Sequence, residues 1–329
     1  MRIVLTRLDR VGDLVLSTPA IRSVRRSWPD AHITLACSAY NAVAVERNPD
    51  VDAVVTVPAQ MRPEIVGARF RGRCDLALAL APCTPDWRFV RATNARRRIG
   101  YTYARRYLAR LTARRFLTDL CISDADPARS QRDPERPVRH EVDQVLELVR
   151  RAGGRSISDE LVLSVDDAAR TAVADVPAGG IAIQLAPRWF SSGSSYPSFV
   201  ALLGELRDLG VPLVVTHGAD VRDQAHRLAA ERLADRIVGD LPFAQWAAVF
   251  EKSRIVITVD TGATHVASAV RRPVVVLFED RYYDLASREW APYHVPAVCL
   301  RKPPDITPAS LARSRTAIVS AARELLNHA

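Results

Sequence analysis

Short apolar runs, each followed by a stretch with helical spacing, constrain this chain more than any other feature. The runs are Arg2 to Thr6, His32 to Cys37, Ala53 to Val57 and Asp75 to Ala81 in the first half, then Gly180 to Leu185, Val211 to Thr216, Arg254 to Val259 and Pro273 to Phe278. They are nearly continuous in apolar residues instead of alternating, the pattern of strands covered on both faces in a parallel sheet. Between them, Leu14 to Trp28, Glu141 to Arg151, Ser198 to Leu209, Arg222 to Leu233, Phe243 to Lys252 and Thr264 to Val270 carry apolar residues at helical intervals. Strands and helices in this alternation predict an α/β fold with doubly wound sheets. A length of 329 residues leaves room for two such domains.

The rhythm breaks twice. A polar stretch from about Thr118 to Pro137 reads as a long loop inside the first half. A second break, near 165–180 and bounded by Pro177, Gly179 and Gly180, separates the halves, so domains are expected over 1–170 and 171–329. A last helix over 308–326, after Pro303 and Pro304, could return to the first domain.

Charge is unevenly spread. The 46 basic and 37 acidic residues give +9, but ten arginines and no acid lie between Arg88 and Arg115, leaving 36 basic against 37 acidic residues elsewhere. A nucleic-acid binder normally shows a basic face over a whole domain, so this localised excess points instead to an acidic ligand, an anionic membrane surface or a solvated face. Five scattered cysteines, odd in number and without a CxxC pair, predict a reducing cytoplasm and neither a disulfide framework nor structural zinc. The opening MRIVLTRLDRVGD enters a strand at once and reads as neither signal nor transit peptide. No uncharged apolar stretch approaches the ~18 residues of a membrane span.

Two strand-to-helix junctions carry candidate chemistry. In Arg7-Leu-Asp-Arg-Val-Gly-Asp13 the carboxylate of Asp13, beside the permissive Gly12, falls where open α/β sheets bind ligands. It is read either as a general base or as a helix cap. In Ile257-Thr-Val-Asp260-Thr-Gly-Ala-Thr-His265 a buried strand enters a helix whose amino terminus suits a diphosphate. Thr261 adds a hydroxyl there, Gly262 allows close approach, and His265 sits one turn on; in the plainer reading Thr261 caps and His265 packs. There is no Walker A, GxGxxG, HExxH or GxSxG motif, and Asp124-Ala-Asp126 is a DxD in a turn-like context.

The segment RLDRVGDLVLSTPAIRSVRRSWPDAHI from Arg7 to Ile33, together with IVITVDTGATHVASA from Ile255 to Ala269, resembles glycosyltransferase family 9, the ADP-heptose:lipopolysaccharide heptosyltransferases. Arg97-Arg98-Ile99-Gly100-Tyr101, the strand ending at Thr216 with Gly218 beyond it, and Phe278 followed by Trp290 and Pro292 extend the likeness over most of the chain. The resemblance implies the GT-B architecture, two Rossmann-like domains with parallel sheets facing across a cleft, the first for the acceptor and the second for a nucleotide sugar. It also implies inverting transfer without a metal or other cofactor, with ADP as the expected nucleotide. By motif, Asp13 would deprotonate the acceptor, while Asp260, Thr261, Gly262 and His265 would contact the donor. Gly12, Arg98, Arg105 and Arg106 would lie on the acceptor side, with an acidic glycan or glycolipid as the partner and no role for nucleic acid.

Departures from the family pattern bear on the donor. Ser194 stands where a phosphate-pairing lysine is expected, and Arg188 is the candidate substitute. Glu279 and Asp280 put carboxylates where the family has small residues, and either Asp220 or Asp223 could hold the ribose. As a helix, Tyr103, Tyr107 and Leu111 would form an apolar stripe among arginines, suited to peripheral contact with the inner membrane face. The competing readings are a nucleotide-sugar epimerase of the same fold and a non-catalytic homologue with a degenerate donor site.

Overall fold

Strand β1 (Arg2–Arg7) opens the chain and is buried from Ile3 to Arg7, with Ile3 in register between Ile33 and Leu76 on its two neighbours. The computed structural model describes residues 1–104, 106–123, 138–191 and 195–328. Within them the chain divides into two units, Met1–Ser164 with Arg288–Trp290, and Val165–Ser287 with Ala291–Ala329.

In the first unit β1 is followed by helix α1 (Val11–Ser27), β2 (His32–Ser38), β3 (Ala53–Val57), α2 (Pro63–Gly67), β4 (Leu76–Ala79), α3 (Thr84–Ala92), β5 (Arg97–Tyr103), α4 (Tyr107–Ala113), β6 (Asp119–Ser123) and α5 (Glu141–Ala152). The six strands pair in parallel in the order β3-β2-β1-β4-β5-β6. The winding reverses between β1 and β4, so their carboxyl ends frame the crevice where such sheets bind ligands. Helix α1 packs on α5, and Gly153, at φ +97°, ends α5 in the left-handed conformation that glycine adopts without strain. β6 lies inside the stretch expected to be loop, since Leu120, Cys121 and Ile122 supply a short strand between polar residues.

The second unit repeats the winding. It holds α6 (Asp167–Ala172), β7 (Ile181–Leu185), α7 (Tyr196–Arg207), β8 (Leu213–His217), α8 (Arg222–Ala230), β9 (Arg236–Gly239), α9 (Phe243–Lys252), β10 (Ile255–Val259), α10 (Gly262–Ala269), β11 (Val274–Phe278), α11 (Tyr283–Glu289, whose end belongs to the first unit), β12 (Ala297–Arg301) and α12 (Pro308–His328). Its parallel sheet runs β9-β8-β7-β10-β11-β12, with the switch between β7 and β10. A Cβ at Gly180 would collide with the Pro212 carbonyl, so glycine is what lets β7 begin against the entry to β8. The final helix belongs to the second unit. Ile318, Ala321, Ala322, Leu325 and Leu326 are buried in the second unit's core, where the two alanines let the backbone of α12 seat closely.

Candidate functional site

Arg7, the last residue of β1, is the centre of the first constellation. Its side chain is 2% exposed, and a buried guanidinium is tolerable only when surrounded by acceptors. Nη1 donates to the Leu80 carbonyl just beyond β4 and to Glu141 Oε1 at 2.7 Å; Nε donates to Asp9 Oδ1 at 2.8 Å. Asp13 Oδ1 lies 3.5 Å from Nη2. Tyr101, reaching across from β5, donates its hydroxyl to the same Glu141 oxygen at 2.7 Å. The switch point between β1 and β4 therefore holds one buried cation and an excess of carboxylates.

That excess sets the protonation of Asp13. Burial pushes its carboxyl up to about 7, opposed by Arg7 and reinforced by Asp9 and Glu141. Its side chain keeps 17% exposure, enough for a solute to reach it. Helix α1 begins at Val11 with Arg10 in the cap position and no side-chain cap bond, so Asp13 does not serve as the cap. Gly12 is buried in the first turn at ordinary helical angles, and its conformational freedom is not used. A carboxylate near half ionisation at neutral pH can accept a proton from a hydroxyl as a bond forms.

Other buried acids belong to this unit. Glu289 is fully buried and accepts from Gln144 Nε2 at 2.7 Å; burial first and Glu141 second push it up to about 8. Asp86, in the first turn of α3, accepts from Thr6 and Cys83, both at 3.0 Å, and burial pushes it up to about 7. The expected acceptor-side residues do not all gather here. Arg98 sits at the start of β5, away from the carboxyl edge, and donates to the Ala95 and Phe116 carbonyls. Arg106 lies beyond the carboxyl end of β5 with its guanidinium 4.7 Å from the Tyr103 ring centre. Arg105 and the Asp124 to Asp126 motif lie outside the described residues. Tyr103 is buried at the end of β5 and not on a helix, which removes it from the expected apolar stripe.

In the second unit the β7 and β10 ends bring Arg188 and Asp260 together, which sequence spacing could not reveal. Arg188, in the turn Pro187–Trp189, donates through Nη1 to the Asp260 carbonyl and to Asp260 Oδ2 at 2.5 Å. Both side chains stay partly exposed. Thr261 is the residue before α10, yet its hydroxyl faces Thr258 Oγ1 at 3.2 Å and makes no capping bond. The amino terminus of α10, starting at Gly262, is thus not occupied by its own cap side chain, while His265 one turn on is buried. Asp220 and Asp223 both follow β8 at the same sheet edge and are exposed, so the geometry does not choose between them. Ser194 lies outside the described residues.

Glu279 departs from expectation. It is buried, accepts from Lys302 Nζ at 2.7 Å and from Ser191 Oγ at 2.9 Å, and so does not project an unpaired charge toward a ligand. Lys302 also donates to the Arg188 carbonyl, tying the loops after β7, β11 and β12 together. Asp280 pairs with Arg301 at 3.2 Å. Arg7, Glu141, Tyr101, Glu289 and Lys302 were not singled out from sequence. The available signals were a charge ending an apolar run, for Arg7, and membership of a pair of lysines in the whole chain, for Lys302.

A model of glycosyltransferase family 9 (heptosyltransferase) matches residues 128–309, more than half of the chain. No curated protein sequence matches. Among solved structures, the chain is similar to a family 9 glycosyl transferase from Veillonella parvula DSM 2008, at TM-score 0.80 and 19% identity, covering 100% of this chain and 97% of that one. It is also similar to the E. coli ADP-heptose lps heptosyltransferase II, at TM-score 0.74 and 17% identity, covering 100% and 99%. The E. coli heptosyltransferase WaaC with ADP aligns at TM-score 0.69 and 18% identity, covering 99% and 100%. At these identities the likeness establishes the fold, GT-B with two Rossmann-like domains.

Proposed function

The chain belongs to glycosyltransferase family 9, and from that premise we propose that it transfers a heptose-like sugar from a nucleotide donor, with ADP the expected nucleotide, to an acceptor hydroxyl. An acidic glycan or glycolipid such as lipopolysaccharide core is the acceptor class that suits the arginine-rich first unit. The observation that carries the reading is the placement of the partly exposed Asp13 carboxyl beside Arg7 at the β1–β4 switch point, where burial raises its pKa. In this scheme Asp13 takes the hydroxyl proton as the acceptor oxygen attacks the anomeric carbon. The bond to the diphosphate breaks with its electron pair leaving on the phosphate, so one displacement inverts that carbon.

The second unit supplies the leaving-group half. Arg188 and the amino terminus of α10 offer the positive charge that a departing diphosphate requires, and Asp260 offers an acceptor for sugar hydroxyls. In this scheme the transfer is metal-independent, with Arg188 and the amino terminus of α10 supplying the charge stabilisation that the leaving diphosphate requires. Arg188 must exchange Asp260 for phosphate when the donor arrives, and a guanidinium fork suits both partners. The inward pairing of Glu279 with Lys302 weakens one of the two grounds for reading the donor site as degenerate; the other, Ser194, lies outside the described residues. A cytoplasmic setting is part of the proposal and is in keeping with the five free cysteines; among the described residues no helix is long and apolar enough to cross a membrane. Calorimetry with ADP, UDP and GDP tests the donor assignment: ADP is expected to bind most tightly, and failure of all three to bind would overturn it.

A further inference from the structure

Helix α4 has its amphipathic pattern turned outward. Its small apolar residues face the core: Ala113 is buried and Ala109 packs against the cluster around Trp87 and Phe89, as does Phe116 just beyond the helix. Its large apolar residues face solvent, with Tyr107 67%, Leu108 81% and Leu111 63% exposed. Burial of the large side chains is what a water-facing helix would be expected to achieve, so the reversal needs a partner. Around this tip lie Arg106, Arg110, Arg114 and Arg115, none with an ion-pair partner among the described residues, and no acid occurs between Arg88 and Arg115.

We propose that the α4 tip docks on an anionic bilayer, Tyr107, Leu108 and Leu111 entering the headgroup region while the surrounding arginines meet lipid phosphates. Charge complementarity selects a negative partner, and a second copy would set arginine against arginine. Three projecting side chains are also far short of the ~1,200 Å² that a stable protein interface buries. A soluble acidic glycan would use the arginines and leave the apolar tip unexplained. A surface combining apolar insertion with a polybasic rim matches the two-signal logic of reversible membrane binding. The placement is useful as well: α4 follows the carboxyl end of β5, and in a parallel sheet that is the edge carrying Asp13. A lipid-linked acceptor held at the bilayer would be presented to that edge.

Vesicle sedimentation of the full chain, without donor, tests this independently of the catalytic reading. The wild type is expected to bind vesicles of phosphatidylglycerol and phosphatidylcholine, more weakly as salt rises, and to leave pure phosphatidylcholine largely unbound. Leu108→Ser with Leu111→Ser should weaken binding about tenfold or more without changing thermal stability, since both positions are exposed. Arg114→Glu with Arg115→Glu should weaken it by about twenty-five-fold or more, near fivefold for each cation lost before the added repulsion of each new carboxylate. Wild type that ignores anionic vesicles would overturn the proposal. Binding that survives the serine pair but not the glutamate pair would make the contact purely electrostatic, with no apolar insertion, and equally overturn it. A dimer in sedimentation velocity that the serine pair dissociates would assign it to a second copy, with the same consequence.

Discussion

Replacing Glu141 with Gln removes one buried negative charge from around Arg7 while keeping the side chain's shape and an oxygen to accept from Tyr101 and Arg7. Glu141 is 1% exposed and shares its Oε1 between Arg7 and Tyr101, both at 2.7 Å. Loss of a charge-assisted buried bond costs about 1.5–3 kcal/mol, and Arg7 keeps Asp9 and Asp13, so the larger penalty of an orphaned buried charge is avoided. For a unit of this size, about 2 kcal/mol lowers Tm by roughly 4–8 °C. The chemical effect has the opposite character. Glu141 helps to hold the Asp13 carboxyl up to about 7, so its neutralisation lets Asp13 ionise at lower pH. Transfer measured across pH should rise through about 7 in the wild type and through a more acid midpoint in Glu141→Gln. An unchanged or more alkaline midpoint would refute the claim that this cluster tunes the base.

Further expectations concern stability and the donor half. Asp13 and Asp86 at about 7 and Glu289 at about 8 all lie above their unfolded values, so the native state holds extra protons between about pH 4 and 8. Their contribution to stability is therefore fully present below about pH 4 and falls as pH rises toward 8, by about 1.4 kcal/mol per pH unit for each proton held in excess, as followed by urea unfolding; a rise with pH between about 5 and 8 would contradict it. Glu289→Gln should change little at pH 6, where the carboxyl is already protonated, and should raise Tm relative to wild type at pH 9. Lys302→Met leaves Glu279 buried without its cation and should cost about 3–5 kcal/mol, whereas the double change with Glu279→Met should recover much of it. Arg188→Ala should weaken ADP binding by calorimetry about tenfold to a hundredfold, with Tm nearly unchanged, as expected for a partly exposed residue that bonds charged oxygens.

The central strands were legible because burial on both faces forces continuous apolar runs, as in Ile255–Val259 and Val274–Phe278. The edges were not. β9 has Arg236 exposed and β12 has Arg301 exposed, and a short half-covered strand carries no comparable pattern. The helix over 167–172 hid in a segment read as linker because its signal is a single cap, Asp166 accepting from the Ala169 N–H. At the sites, residues next to a strand end were found by position, as with Asp13 and Asp260. Glu141, 134 positions after Arg7, and Lys302, 114 after Arg188, meet them only through strand order. Local spacing holds no record of such contacts. The arginine-rich segment was read correctly as a local feature, but its apolar stripe was misplaced by one turn, because Tyr103 ends a strand and the helix starts at Tyr107.

The most direct measurement compares wild type with Asp13→Asn in transfer from ADP-heptose to heptose-deficient lipopolysaccharide core, following by mass spectrometry both the acceptor's mass and ADP release. Wild type is expected to add one heptose per acceptor. Asp13→Asn is expected to bind ADP as tightly but to transfer about 10²–10⁴-fold more slowly. Transfer by Asp13→Asn at the wild-type rate would contradict the assignment of Asp13 as the base.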